Sequence, residues 1–185
     1  MLVTRRHAVA GLATSAIAAA LPAWAAPSTA WPFFFAGLSG DEIRLGAFQG
    51  KPVMVVNTAS RCGFVGQFAG LQQLWTRFGT RGLTVIGVPS NDFGGQEPGG
   101  VAEIQDTSLG YGVSFPLATK TPVVGVAAHP FYRWAAAERP GETPRWNFHK
   151  YLIGRDGRMA AVFPTGVEPT DPRVISAIVK ELPTA

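Results

Sequence analysis

A continuous apolar run, Val53 to Val56, and a β-branched, largely apolar stretch without alternation, Leu83 to Val88, bracket a segment whose apolar residues recur with a helical period. A strand with one wet face alternates apolar and polar residues, so runs without alternation predict strands buried on both faces, as in a largely parallel sheet. Between them Phe68, Leu71, Leu74, Trp75 and Phe78 recur at steps of three and four, one stripe on a helix spanning Gly66 to Phe78. Gly79 to Gly82 ends that helix. The unit is β-α-β. Its crossover is right-handed, and such sheets collect reactive residues in the loops at the carboxyl ends of their strands. Cys62 follows the first strand and Pro89-Ser90-Asn91 the second, about 27 residues later. Neighbouring strands lie only about 5 Å apart, so the two loops belong to one place.

The remaining elements are read in the same way. Phe33 to Phe35 and Ile43 to Leu45 flank Leu38-Ser39-Gly40-Asp41 and predict an N-terminal β-hairpin. Val101 to Leu109 predicts a short helix, Val113 to Leu117 a brief strand, and His129 to Glu138 a helix with Phe131, Trp134 and Ala135 inward. Phe148 to Ile153 and Met159 to Phe163 form a second hairpin around Gly154-Arg155-Asp156-Gly157. A last helix starts at Asp171 as cap with Pro172 in its first turn, and carries Val174, Ile175, Ile178, Val179 and Leu182 on one face. The order β-α-β, helix, β-β-α outlines a thioredoxin-like α/β fold: a central mixed β-sheet flanked by helices, preceded by a hairpin.

The chain has 185 residues, 46% of them hydrophobic and 15% charged, which suits one compact domain. Residues 1–25 are set apart from that domain, 26–185. Arg5 and Arg6 precede an uncharged run of about 14 residues, Ala8 to Leu21, and Ala23-Trp24-Ala25 has the small-x-small pattern of a cleavage site. The run is too short to span a hydrocarbon core, which needs about 20 residues, so an export signal is expected rather than stable membrane insertion. Thr4-Arg5-Arg6 resembles the start of a twin-arginine signal, with Ala8 and Val9 where that motif carries larger residues; twin-arginine and general secretory export both stay open. The expected location is periplasmic or secreted. Without residues 1–25 the balance of 16 basic and 12 acidic residues becomes 14 and 12, a net +2 with no basic run. That leaves no electrostatic footprint for nucleic acid.

Cys62 is the only cysteine, so no disulfide can form within the chain, although an exported protein would ordinarily use cysteine that way. A lone thiol is either a small buried hydrophobe or a reactive group. Reactivity needs the thiolate, favoured by nearby donors and positive charge. The amides after Cys62 open toward a helix start, Arg61 is adjacent, and Gly63 leaves room for a substrate or a second loop. Arg61 reads equally as a solvated surface charge. His129 and His149 have no paired ligand spacing with Cys62, and no metal or other cofactor is expected.

Three blocks then identify a relationship. Asn57-Thr58-Ala59-Ser60-Arg61-Cys62-Gly63-Phe64 resembles the peroxidatic segment of the glutathione peroxidase family. The resemblance continues through Pro89-Ser90-Asn91-Asp92-Phe93-Gly94-Gly95-Gln96-Glu97-Pro98-Gly99 and returns at Trp146-Asn147-Phe148-His149-Lys150-Tyr151-Leu152-Ile153, so that it covers nearly all of Phe33 to Leu182. It implies a thiol-dependent peroxidase of the oxidative stress response, with Cys62 as nucleophile and Gln96, Trp146 and Asn147 as its catalytic partners. An amide and an indole N–H can donate to a thiolate and to peroxide oxygens without titrating. Taken singly, Trp146 reads as a core aromatic, Gln96 as a cap of a glycine-rich loop and Asn147 as a turn residue.

The resemblance also implies hydroperoxides as substrates, hydrogen peroxide and organic or lipid hydroperoxides alike, and a sulfenic acid on Cys62 as intermediate. Cysteine-containing relatives often carry a second, resolving cysteine; the nearest matching position here is Ser108. The reductant is then a small thiol, glutathione or another, or an exported thiol protein, with Arg61, Arg145 and Lys150 as conceivable contacts. A short connection between Tyr132 and Trp146 lacks the insertion that builds tetramers in similar proteins, so a monomer with an open active-site face is expected. Two other readings share the fold. A dithiol oxidoreductase needs Cys-x-x-Cys, whereas Gly63, Phe64 and Val65 follow Cys62. A non-catalytic peroxide sensor or relay would pass oxidation from Cys62 to a partner thiol and differs in turnover.

Overall fold

The computed structural model describes residues 27–184. The expected export signal, residues 1–25, lies outside the described residues. β1 (Phe34–Ala36) and β2 (Glu42–Arg44) form the antiparallel hairpin, with Phe34 opposite Arg44. β3 (Val53–Thr58), α1 (Gln67–Phe78) and β4 (Thr84–Pro89) form the β-α-β unit, with β3 and β4 parallel from Val53 opposite Thr84 to Thr58 opposite Pro89. α2 (Val101–Gly110) and α3 (Pro130–Glu138) follow, then the antiparallel pair β5 (Lys150–Ile153) and β6 (Met159–Phe163), and finally α4 (Pro172–Glu181). The main sheet is mixed, in the order β4-β3-β5-β6.

Every residue of β3 and β4 is buried, because successive side chains leave a strand on opposite faces and both faces are covered. Val53, Val55, Ile86, Val88, Tyr151 and Ile153 point into a core shared with Phe35, Phe131, Trp134 and Ala135. Met54, Val56, Val85 and Leu152 point to the other face, onto Phe68, Leu71, Leu74 and Phe78 of α1 and Val174 and Ile178 of α4. The stripe expected on α4 is narrower than its sequence suggests: Val179 is 45% exposed and Ile175 half-buried.

One expected element does not form. Val113 to Leu117 makes no strand; the segment reaches the sheet only through isolated bridges of Leu117 to Gly87 and Ala118 to Gly37. Pro116 has no N–H for a ladder, and the Ser114 amide is diverted to the Gln72 side chain at 2.9 Å. The turn between β5 and β6 behaves as expected, with Gly157 at φ 84 and its N–H on the Gly154 carbonyl at 2.9 Å. A side chain there would also collide with the Trp31 indole. Asp171 caps α4, accepting from the Arg173 N–H at 2.8 Å.

Candidate active site

β3 ends at Thr58, and the chain turns through Ser60 and Arg61 to place Cys62 five residues before α1 begins. Cys62 is 3% exposed and packs in the cluster of Phe68 and Phe148. The Phe64 N–H reaches its Sγ at 3.4 Å, so a backbone amide does point at the sulfur. A Cβ placed on Gly63 would meet nothing within 4 Å, which leaves the approach beside Cys62 open.

The loop after β4 is fastened against this turn. The Arg61 N–H donates to the Gln96 carbonyl at 3.0 Å, and the Ser60 N–H and hydroxyl both donate to Glu97 Oε2, at 2.9 and 3.1 Å. The Glu97 N–H donates to Asn91 Oδ1 at 2.9 Å, so Asn91 organises its own loop. Lys120 Nζ donates to the carbonyls of Glu97, Pro98 and Gly99. Glu97 is 1% exposed; burial raises its carboxyl above the ordinary range, and the Ser60 hydrogen bonds oppose that rise. Sequence reasoning missed this carboxylate, since an acid beside a glycine-rich turn carries no mark of burial.

The third block arrives from β5. Asn147 is fully buried, and its Nδ2 donates to Gln96 Oε1 at 3.0 Å. Gln96 Oε1 is thereby occupied, and its Nε2 has no hydrogen-bond partner among the described residues. Trp146 is 37% exposed, with its indole against Gly94 and its ring 6.1 Å from Phe93, so it is a rim residue and not a core aromatic. Gly94 and Gly95 have φ of 64 and 63, and a Cβ on Gly94 would come within 3.2 Å of the indole. The strap Trp146 to His149 is latched by Asn57 of β3. Asn57 Nδ2 donates to the Trp146 carbonyl at 3.0 Å, its Oδ1 accepts from the His149 N–H at 3.1 Å, and its own carbonyl accepts from the Phe148 N–H at 2.6 Å. Phe148 has φ 62, a left-handed conformation that costs a bulky residue on the order of 1–2 kcal/mol.

The three cations considered as ligand contacts separate. Arg61 is in a two-pronged pair with Glu103, at 2.7 and 3.1 Å. Lys150 is 0% exposed and cannot meet a ligand at the surface. Arg145 is exposed and lines a cleft of about 370 Å³ with Glu142, Thr143, His149 and Thr165. Ser108 is buried in α2, its hydroxyl on the Gln105 carbonyl at 3.0 Å.

His149 offers a test of this packing. Burial, aided by the neighbouring Lys150 charge, lowers its pKa from 6.5 to about 4. Between those values the unfolded chain binds a proton that the folded chain refuses, so stability is lost as pH falls from 6.5 toward 4, by on the order of 3 kcal/mol. Urea midpoints should therefore fall more steeply over that window in the wild type than in His149→Gln, and parallel curves would contradict the burial.

Residues 31–136 match the glutathione peroxidase family. A hydroperoxy fatty acid reductase of Synechocystis sp. is 42% identical over 156 residues, covering 79% of this chain and 92% of that protein. The chain belongs to the glutathione peroxidase family. It is a peroxidase, using a thiol reductant against hydroperoxides as that family does. Its fold is similar to the crystal structure of Trgpx in apo form, with TM-score 0.66, 34% identity, and coverage of 84% of this chain and 98% of that one. The fold alone is shared with a thioredoxin-family thiol:disulfide interchange protein of Chlorobium tepidum, at TM-score 0.62 and 18% identity over 87% of this chain and 100% of that one. A glutathione peroxidase on a thioredoxin-like fold thus accounts for the mixed sheet, the hairpin and the loop cluster around Cys62. No helix among the described residues is long and apolar enough to cross a membrane.

Proposed function

We propose that this peroxidase reduces hydrogen peroxide and organic and lipid hydroperoxides through a sulfenic acid on Cys62, in defence against oxidative stress. The observation that carries this reading is the arrangement at the sulfur: an amide 3.4 Å from Sγ, on a turn hydrogen-bonded to the Gln96 loop that Asn147 also holds. The Cys62 thiolate attacks one peroxide oxygen; the S–O bond forms, the O–O bond breaks, and the departing oxygen takes a proton to leave as water or alcohol. Gln96 Nε2, the Trp146 indole N–H and Asn147 are assigned to stabilising the thiolate and the oxygen that leaves. One thiol then displaces water from the sulfenic acid, giving a mixed disulfide, and a second thiol releases Cys62 and the oxidised reductant. Two thiols are consumed per turnover, as the two-electron reduction of the peroxide requires, and with Cys62 the only cysteine the one that attacks the sulfenic acid must come from outside the chain.

Bulky substrates are favoured by the rim. Phe64, next to the open approach at Gly63, is 40% exposed, and Trp146, against the Gly94 turn of the Gln96 loop, is 37% exposed, apolar surface that suits an acyl chain. The Synechocystis relative is named for hydroperoxy fatty acids. The basic, apolar segment up to Ala25 supports export to the periplasm or beyond, and the short Tyr132 to Trp146 connection supports a monomer. The test is stopped-flow oxidation of the protein lacking residues 1–25 by hydrogen peroxide and by a fatty acid hydroperoxide, followed by intact mass. Rapid addition of one oxygen at Cys62, erased by a small thiol and repeated over many turnovers, is expected. Oxidation no faster than that of a free thiolate would sink the mechanism.

A further inference from the structure

Phe148 is the one non-glycine residue with positive φ among the described residues, and it lies directly after Asn147 and two residues after Trp146. The left-handed turn at Phe148 therefore sets how the Trp146–Asn147 segment lies relative to β5. On one side it is held by its N–H on the Asn57 carbonyl, and its ring is buried edge-on against Phe68 at 5.3 Å. On the other side its carbonyl accepts from Lys150 Nζ at 2.7 Å.

Lys150 is an unusual residue to find there. It is 0% exposed, its ammonium makes one hydrogen bond, and none of the ion pairs among the described residues includes it. Burial draws its pKa down to about 8, with the Glu168 charge opposing. A methionine would fill the space of the stem without a buried charge, and burying a charge without a counter-ion is unfavourable. Among the described residues the one hydrogen-bond partner of this ammonium is the carbonyl of the strained residue.

We propose that Lys150 is a positioning residue for the peroxidase reaction: its ammonium clamps the Phe148 carbonyl in the left-handed turn and so fixes Asn147, and through it the Gln96 amide, against the Cys62 loop. The proposal rests on the reading that Asn147 and Gln96 act on the peroxide. It makes Lys150 part of the site without touching substrate, sulfur or reductant.

The test is a double-mutant cycle on the second-order rate of Cys62 oxidation by hydrogen peroxide. Asn147→Ala is expected to slow it about 100-fold and Lys150→Met about 10-fold, with the double variant no slower than about 100-fold, because Lys150 acts through Asn147. A general packing defect would instead multiply, to about a thousandfold, and that result overturns the proposal. Lys150→Met at full rate beside a slow Asn147→Ala overturns the proposal alone; a full-rate Asn147→Ala overturns the reading of the site and the proposal with it. The Asn147 side-chain amide resonances, set by its bond to Gln96, should move in Lys150→Met, and unmoved resonances count against the clamp. If Lys150→Met does not fold, the unaltered protein decides. A scalar coupling across the hydrogen bond from Lys150 Nζ to the Phe148 carbonyl carbon is expected, and its absence overturns the clamp.

Discussion

Cys62→Ser is expected to lose peroxide reduction by at least about four orders of magnitude while keeping its fold, because a serine hydroxyl is not ionised near neutrality and is a far weaker nucleophile than a thiolate. The loss should be complete since no other cysteine can take over. The fold should survive because the substituted atom is small and the Phe64 N–H that meets sulfur at 3.4 Å can donate to oxygen as well. The cost of the buried hydroxyl is on the order of 1 kcal/mol. Hydroperoxide consumption with dithiothreitol as reductant, alongside urea unfolding, measures both. A variant that retains more than a few per cent of the rate would show that the chemistry does not run through Cys62.

Asn57→Ala is expected to lower both stability and rate, and so separates the support of the site from its chemistry. Asn57 is 0% exposed on β3, and its side chain alone satisfies the Trp146 carbonyl and the His149 N–H. Its removal leaves buried backbone groups unpaired and a void behind the strap, together on the order of 2–4 kcal/mol. The same two bonds hold the chain on either side of Asn147 and Phe148, so the rate of Cys62 oxidation should fall as well, by about 10- to 100-fold. Asn57→Asp should do no better, because the carboxylate keeps the acceptor for His149 but faces the Trp146 carbonyl with a like partial charge. Urea unfolding and stopped-flow oxidation of the same preparations are the measurements. Loss of stability without loss of rate would mean that the Gln96 contact suffices to hold Asn147.

Much of this was readable before any coordinates. Largely apolar stretches without alternation mark β3 and β4 because a strand covered on both faces has no polar side, and the three-and-four spacing of Phe68, Leu71, Leu74 and Phe78 marks α1 because that face is buried. Both are local periodicities, and local geometry enforces them. Val113 to Leu117 has the composition of a strand, but a strand exists only by pairing, and Pro116 and the Gln72 side chain take the segment out of the ladder. The meeting of the Cys62 turn with the Pro89 loop follows from parallel pairing, which brings Thr58 opposite Pro89.

The sequence by itself determined the class of fold, the single thiol and the three blocks whose resemblance names the chemistry. Only the tertiary structure decided which polar residues are buried and what they hold. His149-Lys150 in a strand sequence would pass for a solvated edge, yet β5 lies between β3 and β6 with both faces covered, so the imidazole and the ammonium are enclosed. Glu97 would pass for a loop acid, yet it bonds Ser60 from 37 residues away. Asn57 would pass for one polar residue at a strand end, yet it latches a strap 89 residues on. Burial and long-range hydrogen bonding depend on which elements pack together, and no local pattern of residues records that.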